Sequence, residues 1–270
     1  MSTEDPLASA KGIVGIVQGV IQAAGDDPQV KEAGHQLGKS ALTLTKTINN
    51  ALLPLAAVNY AFDKAREYFS KSFVDEIKEK LIDIPNECLT EPKPSIAGPA
   101  LQGLAFALDE PELKLLFLNL IASSMDGRQP NKVHPAFVDV IRQITAPEAS
   151  NLLVLLKLRS IIPIVSFSLK QDVGEIPIAK HVMNWSKVGT SEPLQIADIT
   201  ASVDNFIRLG LVEVDYLTAL SDKTNYEWVK DRPEYLQAVK EYANHEGEVK
   251  VKNGILSVTA FGRNFYGSVK

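Results

Sequence analysis

The 270-residue chain holds a single cysteine, Cys88, so no internal disulfide can brace it, and a lone thiol suits a reducing compartment. In ECL no basic residue flanks Cys88 to favour a reactive thiolate. Histidine is scarce too. His35, His134, His181 and His245 lie far apart with no metal-ligand spacing, and neither HExxH nor CxxC occurs. There is no GxSxG, and the glycine-bearing run GIVGIVQG lacks the strand and lysine of a phosphate loop. The expectation is a protein without catalytic residues, cofactor or metal. Positive charge is also short: the net charge is -5 and the pI about 5.5, so no long-range field draws the chain onto nucleic acid or an anionic membrane. Long apolar runs are missing. Residues 12–25 (GIVGIVQGVIQAAG) and 47–62 (TINNALLPLAAVNYAF) are uncharged, but as helices they span only about 21 and 24 Å at ~1.5 Å per residue, short of a ~30 Å bilayer core. The start, MSTEDPLASAK, has no basic n-region of a signal peptide, so the expected place is the cytoplasm, at most peripheral to the inner membrane.

What is present is an ordinary globular composition, 45% hydrophobic and 23% charged, with core enough for one large domain or two smaller ones. Residues 27–48 carry a capping aspartate, a first-turn proline and one apolar stripe, and read as a helix. FDKAREYFSKSFVDEIKEKLIDI reads as one amphipathic helix with Phe62, Phe69, Phe73, Ile77 and Leu81 on its apolar side. The proline-rich stretch 84–99 reads as a linker or loop, followed by a short helix over 101–108. Asp109 and Glu112 form a start signal for LKLLFLNLIASSM, which is apolar nearly all round and therefore expected to be central and buried, with Gly127 closing it. In HPAFVDVIRQI, Pro135 suits a first turn, His134 is a structural helix-start residue, and Phe137, Ile141 and Ile144 share a face. Thr145 and Glu148 make a second capping box, which opens NLLVLLKLRS.

After about residue 160 the texture changes. IIPIVSFSL is β-branched and reads as strand or irregular. A helix is expected over 199–209, short strands over 212–217, 226–229, 249–252 and 256–258, and a helix over 233–245 interrupting them. The expected fold is mainly α: an apolar N-terminal helix or tail over 1–27, a helical domain over 28–158, and a smaller α+β winged-helix-like module with a long insertion over 159–270.

In SVDNFIRLGL, Val203, Phe206, Ile207 and Leu209 are expected to point inward, Gly210 to supply a left-handed cap and Leu211 to pack back on the last turn. A DNA-reading helix presents Arg, Lys, Asn or Gln to the groove, flanked by phosphate-binding cations. Here Asp198 and Asp204 outnumber Arg208, and Glu246 and Glu248 offset Lys250 and Lys252. The expected use of the module is protein contact, through Asn205, Arg208, Trp228, Lys250, Lys252 and Arg263, with weak nucleic-acid contact as the lesser use of the same residues. Tyr226, Trp228, Tyr235 and Tyr242 in the insertion are expected as exposed contact aromatics. Gly12, Gly15 and Gly19 space small residues along an apolar helix, as an oligomer or membrane face does.

Three blocks, KEAGHQLGKSALTLTKTINNALLPLAAVNYAFDKAREYF, IPNECLTEPKPSIAGPALQGLAFALDEPELKLLFLNLIASSMD and VHPAFVDVIRQITAPEASNLL, together resemble the bacterial abortive infection alpha family over roughly residues 29–158. The resemblance implies defence against phage, in which an infected cell stops growing or dies. It supplies no catalytic residue and no cofactor. The reading it favours is a non-enzymatic phage-defence protein whose partners are another protein or a second copy, with a phage component or, after a trigger, a membrane as further candidates, and nucleic acid not expected. The rival is a DNA-binding transcriptional regulator using the C-terminal module.

Overall fold

A computed structural model describes residues 59–128, 132–158, 161–185, 196–243 and 246–270. The apolar run 12–25 with Gly12, Gly15 and Gly19, and the helix expected over 27–48, lie outside the described residues. The chain divides into two units, one up to Ala149 together with Gly267–Lys270, the other Ser150–Tyr266. The architecture is mixed α+β rather than mainly α.

The first unit is helical. Helices α1 (Asn59–Lys71) and α2 (Phe73–Leu81) replace the single amphipathic helix expected there. The break at Ser72 is slight, since its N–H still donates to the Tyr68 carbonyl and its own carbonyl accepts from Glu76. The apolar side is as the periodicity predicts at Phe69, Phe73 and Ile77, which are buried, whereas Leu81 is only half-buried. A short 3-10 turn, Asn86–Cys88, precedes α3 (Pro94–Phe106). This helix starts well before the expected 101 and carries Pro99 inside it. An interior proline costs about 3 kcal/mol. Burial of Ile96, Ala97, Ala100, Leu101 and Leu104 on one helical face offsets that cost.

Helix α4 (Pro111–Ser124) is the buried centre: Leu116, Leu120 and Ile121 are fully covered and Phe117 nearly so. It packs against α3 and against α5 (Ala136–Arg142), as its all-round apolar composition predicts. Its start differs from the expected capping box. Pro111 is the first residue, Glu110 the cap, and no side-chain oxygen caps the turn. Asp109 instead pairs with Lys64 of α1. Gly127 does not close the helix either. It lets the chain pass the 88–90 segment, where a Cβ would stand 2.9 Å from the Cys88 carbonyl oxygen, and its N–H donates to that carbonyl at 2.8 Å. His134 Nδ1 accepts from the Ala136 N–H at 3.1 Å, the helix-start role its position suggests.

Helix α6 (Ala146–Leu158) opens on the expected capping box. The Thr145 N–H donates to Glu148 Oε2 at 2.8 Å and the Glu148 N–H to Thr145 Oγ1 at 3.3 Å.

The second unit is built on a four-stranded antiparallel sheet of order β2-β1-β4-β3, with β1 Ile162–Gln171, β2 Gly174–Met183, β3 Val212–Asp215 and β4 Glu248–Val258. β2 has no counterpart in the sequence reading. It is an edge strand, and an edge tolerates the missing N–H of Pro177 and the charges of Glu175 and Lys180, which break any alternation. The two short strands expected at 249–252 and 256–258 are one strand, because Asn253 and Gly254 keep their places opposite Val165 and Ile164. Helix α7 (Ile196–Arg208) leads into β3, and between β3 and β4 run a 3-10 segment (Lys223–Asp231) and α8 (Pro233–Glu241). The 3-10 segment takes the place of the strand expected at 226–229. Aromatics of this insertion are packed rather than displayed: Tyr226 joins Val165, Phe167, Val182 and Val229 in a core cluster, with Trp228 and, from α8, Tyr235 partly buried against it. Tyr226 donates its hydroxyl hydrogen to the Gly254 carbonyl at 2.9 Å, which explains a tyrosine rather than a phenylalanine there.

Helix α9 (Ala260–Val269) closes the chain. Thr259 fixes its start: Oγ1 accepts from the Gly262 N–H and donates to the Gly210 carbonyl, while the Thr259 N–H donates to the Leu211 carbonyl.

Candidate functional site

Helix α7 ends as LGL predicts. Gly210 sits at φ 71, its N–H bonds to the Ile207 carbonyl, and the Leu211 N–H reaches back to Phe206, the paired bonds of a Schellman cap. Val203, Phe206 and Leu211 are buried as expected. Ile207 is instead 37% exposed and Leu209 only half-buried, so the buried stripe is narrower than predicted.

The outward face carries Asp204, Asn205 and Arg208. Arg208 donates from Nη2 and Nε to Asn205 Oδ1, at 2.7 and 3.2 Å, so two residues expected to face a partner bond to each other along the helix. The remaining expected contact residues lie on other elements. Lys250 and Lys252 are on β4, where Lys250 pairs with Glu248 at 2.5 Å and Lys252 helps hold the Asp215 carboxylate below its ordinary range. The main causes of that shift are hydrogen bonds from Thr218 and the Leu217 N–H. Arg263, on α9, donates to the Val258 carbonyl at 2.5 Å, and Trp228 donates to the Asn225 carbonyl at 2.7 Å.

The structure assembles a cluster that the sequence did not announce. Between Val165 and Phe167 of β1 the register with β2 slips: Val165 faces Val182 but Phe167 faces Ala179, so Lys180 and His181 share the place opposite Ser166. This is a β-bulge, and His181 occupies it at φ 56, a left-handed conformation uncommon for a residue with a Cβ. The bulge turns the imidazole into the unit, and the residue is 7% exposed. Its Nε2 lies 3.1 Å from Asp204 Oδ1 on α7, and its Nδ1 lies 3.2 Å from the Tyr216 hydroxyl. The His181 backbone N–H donates to the same hydroxyl at 3.0 Å.

Tyr216 follows β3 directly and reaches across β4 to touch β1, its hydroxyl 3.4 Å from the Val165 carbonyl. Gly254 opens that path: a Cβ on it would stand 2.5 Å from the tyrosine ring and 2.7 Å from the Asp215 carbonyl oxygen. One set of protons satisfies all three side chains. His181 Nε2–H donates to Asp204, Tyr216 O–H donates to Nδ1, and the backbone N–H of His181 donates to the tyrosine oxygen. Burial pushes the imidazole below its ordinary pKa, against the opposing pull of Asp204, and burial raises that of Tyr216.

Chemically, the burial of this triad differs from that of a nucleophilic one. There the carboxylate is buried and the nucleophile open to substrate. Here the carboxylate is 63% exposed, the histidine is buried and the tyrosine is half-buried. A groove of about 440 Å³ lined by Ile178, Lys180, Thr200 and Asp204 gives access to the carboxylate alone. Thr200 donates across it to the Lys180 carbonyl at 2.7 Å, a second tie between α7 and β2. Among the described residues no three His, Cys, Asp or Glu side chains converge as metal ligands, and no helix is long and apolar enough to cross a membrane.

The family model described as abortive infection alpha matches residues 65–269. The match thus takes in the whole β-sheet unit, beyond the three blocks that carry the resemblance in the sequence. No curated protein matches the chain. Among solved structures, the chain is similar to an uncharacterized protein from the hydrocarbon-degrading marine bacterium Alcanivorax borkumensis SK2. The identity is 17%, covering 52% of this chain and 94% of that one, with a TM-score of 0.33.

Proposed function

The chain belongs to the abortive infection alpha family, and from that membership we propose that it is a cytoplasmic phage-defence protein, not an enzyme, that acts by contact with a protein partner or a second copy of itself. The observation that carries the reading is the family match over residues 65–269. The exposed Asp204 and the buried His181 support a non-catalytic use, since of the three clustered side chains only Asp204 lines the groove. In this reading α7, β3 and β4 form a winged-helix-like core whose wing carries the long insertion, and the module serves protein contact. Exposed apolar side chains at the β1–β2 turn and after β3, Val173 and Leu217, suit such a contact better than a phosphate track. The Asp204 carboxylate and the mutual Asn205–Arg208 bond disfavour DNA on the α7 face.

The test is expression in a bacterial host, with and without phage, scoring growth and membrane potential. Growth arrest or protection on infection is the expected result, and no effect on phage or host overturns the defence reading. Purified protein should bind duplex DNA only weakly and without sequence preference, fading with salt. A sub-micromolar, sequence-dependent complex at ~150 mM salt that Arg208→Ala abolishes would replace this reading with the regulator. Gly12, Gly15 and Gly19 enter the proposal as an oligomer face that meets membrane only after a trigger. Deleting residues 1–25 should cost oligomerisation, phage protection or both, and an unchanged truncated protein removes that part of the proposal.

A further inference from the structure

The helical unit contains a cavity of about 520 Å³ between α3, α4 and α5, within the size range of small-molecule sites. Its floor is apolar, with Leu113, Phe117, Ile141 and Ile144 among its lining residues. Phe106 stands at its edge with 59% of its surface open. A phenylalanine left in water beside an apolar floor forgoes burial that a ligand body would supply.

Two charges mark the rim. Arg142, in the last turn of α5, donates from Nη2 to the Pro99 carbonyl at 2.8 Å and to Gln102 Oε1 at 3.0 Å. These bonds hold the guanidinium group and leave its Nε and Nη1 hydrogens without a partner among the described residues. Among the described residues no carboxylate pairs with Arg142. Glu110 also lines the cavity, and its carboxylate has no cation partner among the described residues. A held guanidinium with open donors matches a carboxylate, whereas the Glu110 charge disfavours a ligand with two or more negative charges.

We propose that this cavity binds a small amphiphilic monocarboxylate, its apolar body between Phe106 and Phe117 and its carboxylate on the free donors of Arg142. The site commits to one head-group charge and an apolar body, and does not depend on how the protein acts in defence.

Fluorescence of 8-anilinonaphthalene-1-sulfonate, an aromatic monoanion, reports occupancy of the full chain, with decanoate and 1-decanol as competitors. Native near-UV dichroism of each variant guards against probe binding to a loosened core. Saturable one-to-one probe binding, displaced by decanoate at least tenfold more readily than by decanol, is the expected result. Arg142→Gln should weaken decanoate about tenfold or more. Glu110→Gln should strengthen it severalfold, an effect that damage to the fold cannot imitate. The proposal is overturned by absence of saturable binding, by decanol competing as well as decanoate, or by Arg142→Gln and Glu110→Gln leaving decanoate affinity unchanged.

Discussion

The side-chain amide of Asn119, in the middle of the apolar helix α4, donates to the main-chain carbonyl of Val269 at 2.8 Å, across 150 residues of sequence. Asn119 is 9% exposed, and a polar group so buried is costly without this acceptor. Val269 belongs with Gly267–Lys270 to the helical unit, so the bond lies within that unit.

Asn119→Ala should therefore lower unfolding stability by about 1–3 kcal/mol, because it leaves a buried carbonyl unsatisfied. Urea denaturation measures it, and a midpoint equal to that of the unmodified chain would show the bond to be dispensable.

Leu116 and Leu115 are neighbours with opposite environments, the first fully buried and the second 40% exposed. Leu116→Ala should cost about 2–5 kcal/mol, the range for a core leucine. Leu115→Ala should cost well under half of that. Equal losses in the two variants would contradict the central placement of α4.

Two glycines of α9 should respond in opposite senses. A Cβ on Gly262 would stand 2.1 Å from the Leu211 carbonyl oxygen, whereas a Cβ on Gly267 meets nothing within 4 Å. Gly262→Ala should force the helix off Leu211 and destabilise by several kcal/mol, beyond the usual single-residue range. Gly267→Ala gains helix propensity of up to ~1 kcal/mol. Thermal melts of the pair settle the matter, and a tolerated Gly262→Ala would refute the close approach.

Acid should weaken the second unit through His181 before it protonates the carboxylates. Burial depresses the imidazole pKa in the folded state, so the neutral ring stabilises the fold above the unfolded value of ~6.5. That contribution fades as pH falls below ~6.5 and is gone once pH passes the lower folded value. The depressed carboxylates, Asp126 with Arg128 and Asp222 with Thr224 among them, lose their contribution only at lower pH, beneath the unfolded carboxylate value of ~4. His181→Asn, which tolerates the left-handed backbone, should flatten the upper limb of the stability–pH curve and leave the lower limb in place. Asp204→Asn removes the pull that opposes burial and should steepen the upper limb. An unchanged profile in both variants would sink the assignment.

Local chemistry was legible in the residues themselves. The Thr145–Glu148 box, the Gly210 cap, the His134 helix start and the burial of α4 each depend on neighbours three or four positions away or on one apolar period, and such signals survive without tertiary information. The same logic misplaced Asp109. A cap signal states only that a carboxylate is available, and Lys64, 45 residues distant, competed for it.

What the tertiary structure decided has a common physical cause, partners far apart in sequence. Helix α3 extends through Pro99 because burial on one face outweighs a lost hydrogen bond, a balance no local pattern contains. β2 forms against expectation because pairing with β1 supplies its hydrogen bonds, and its alternation is broken by its edge position. His181, Asp204 and Tyr216 meet through a bulge, a helix and a strand end that are separated by 23 and 35 residues. A trace of that meeting in the sequence is Gly254 within strand β4, a residue whose missing side chain leaves room for the Tyr216 ring.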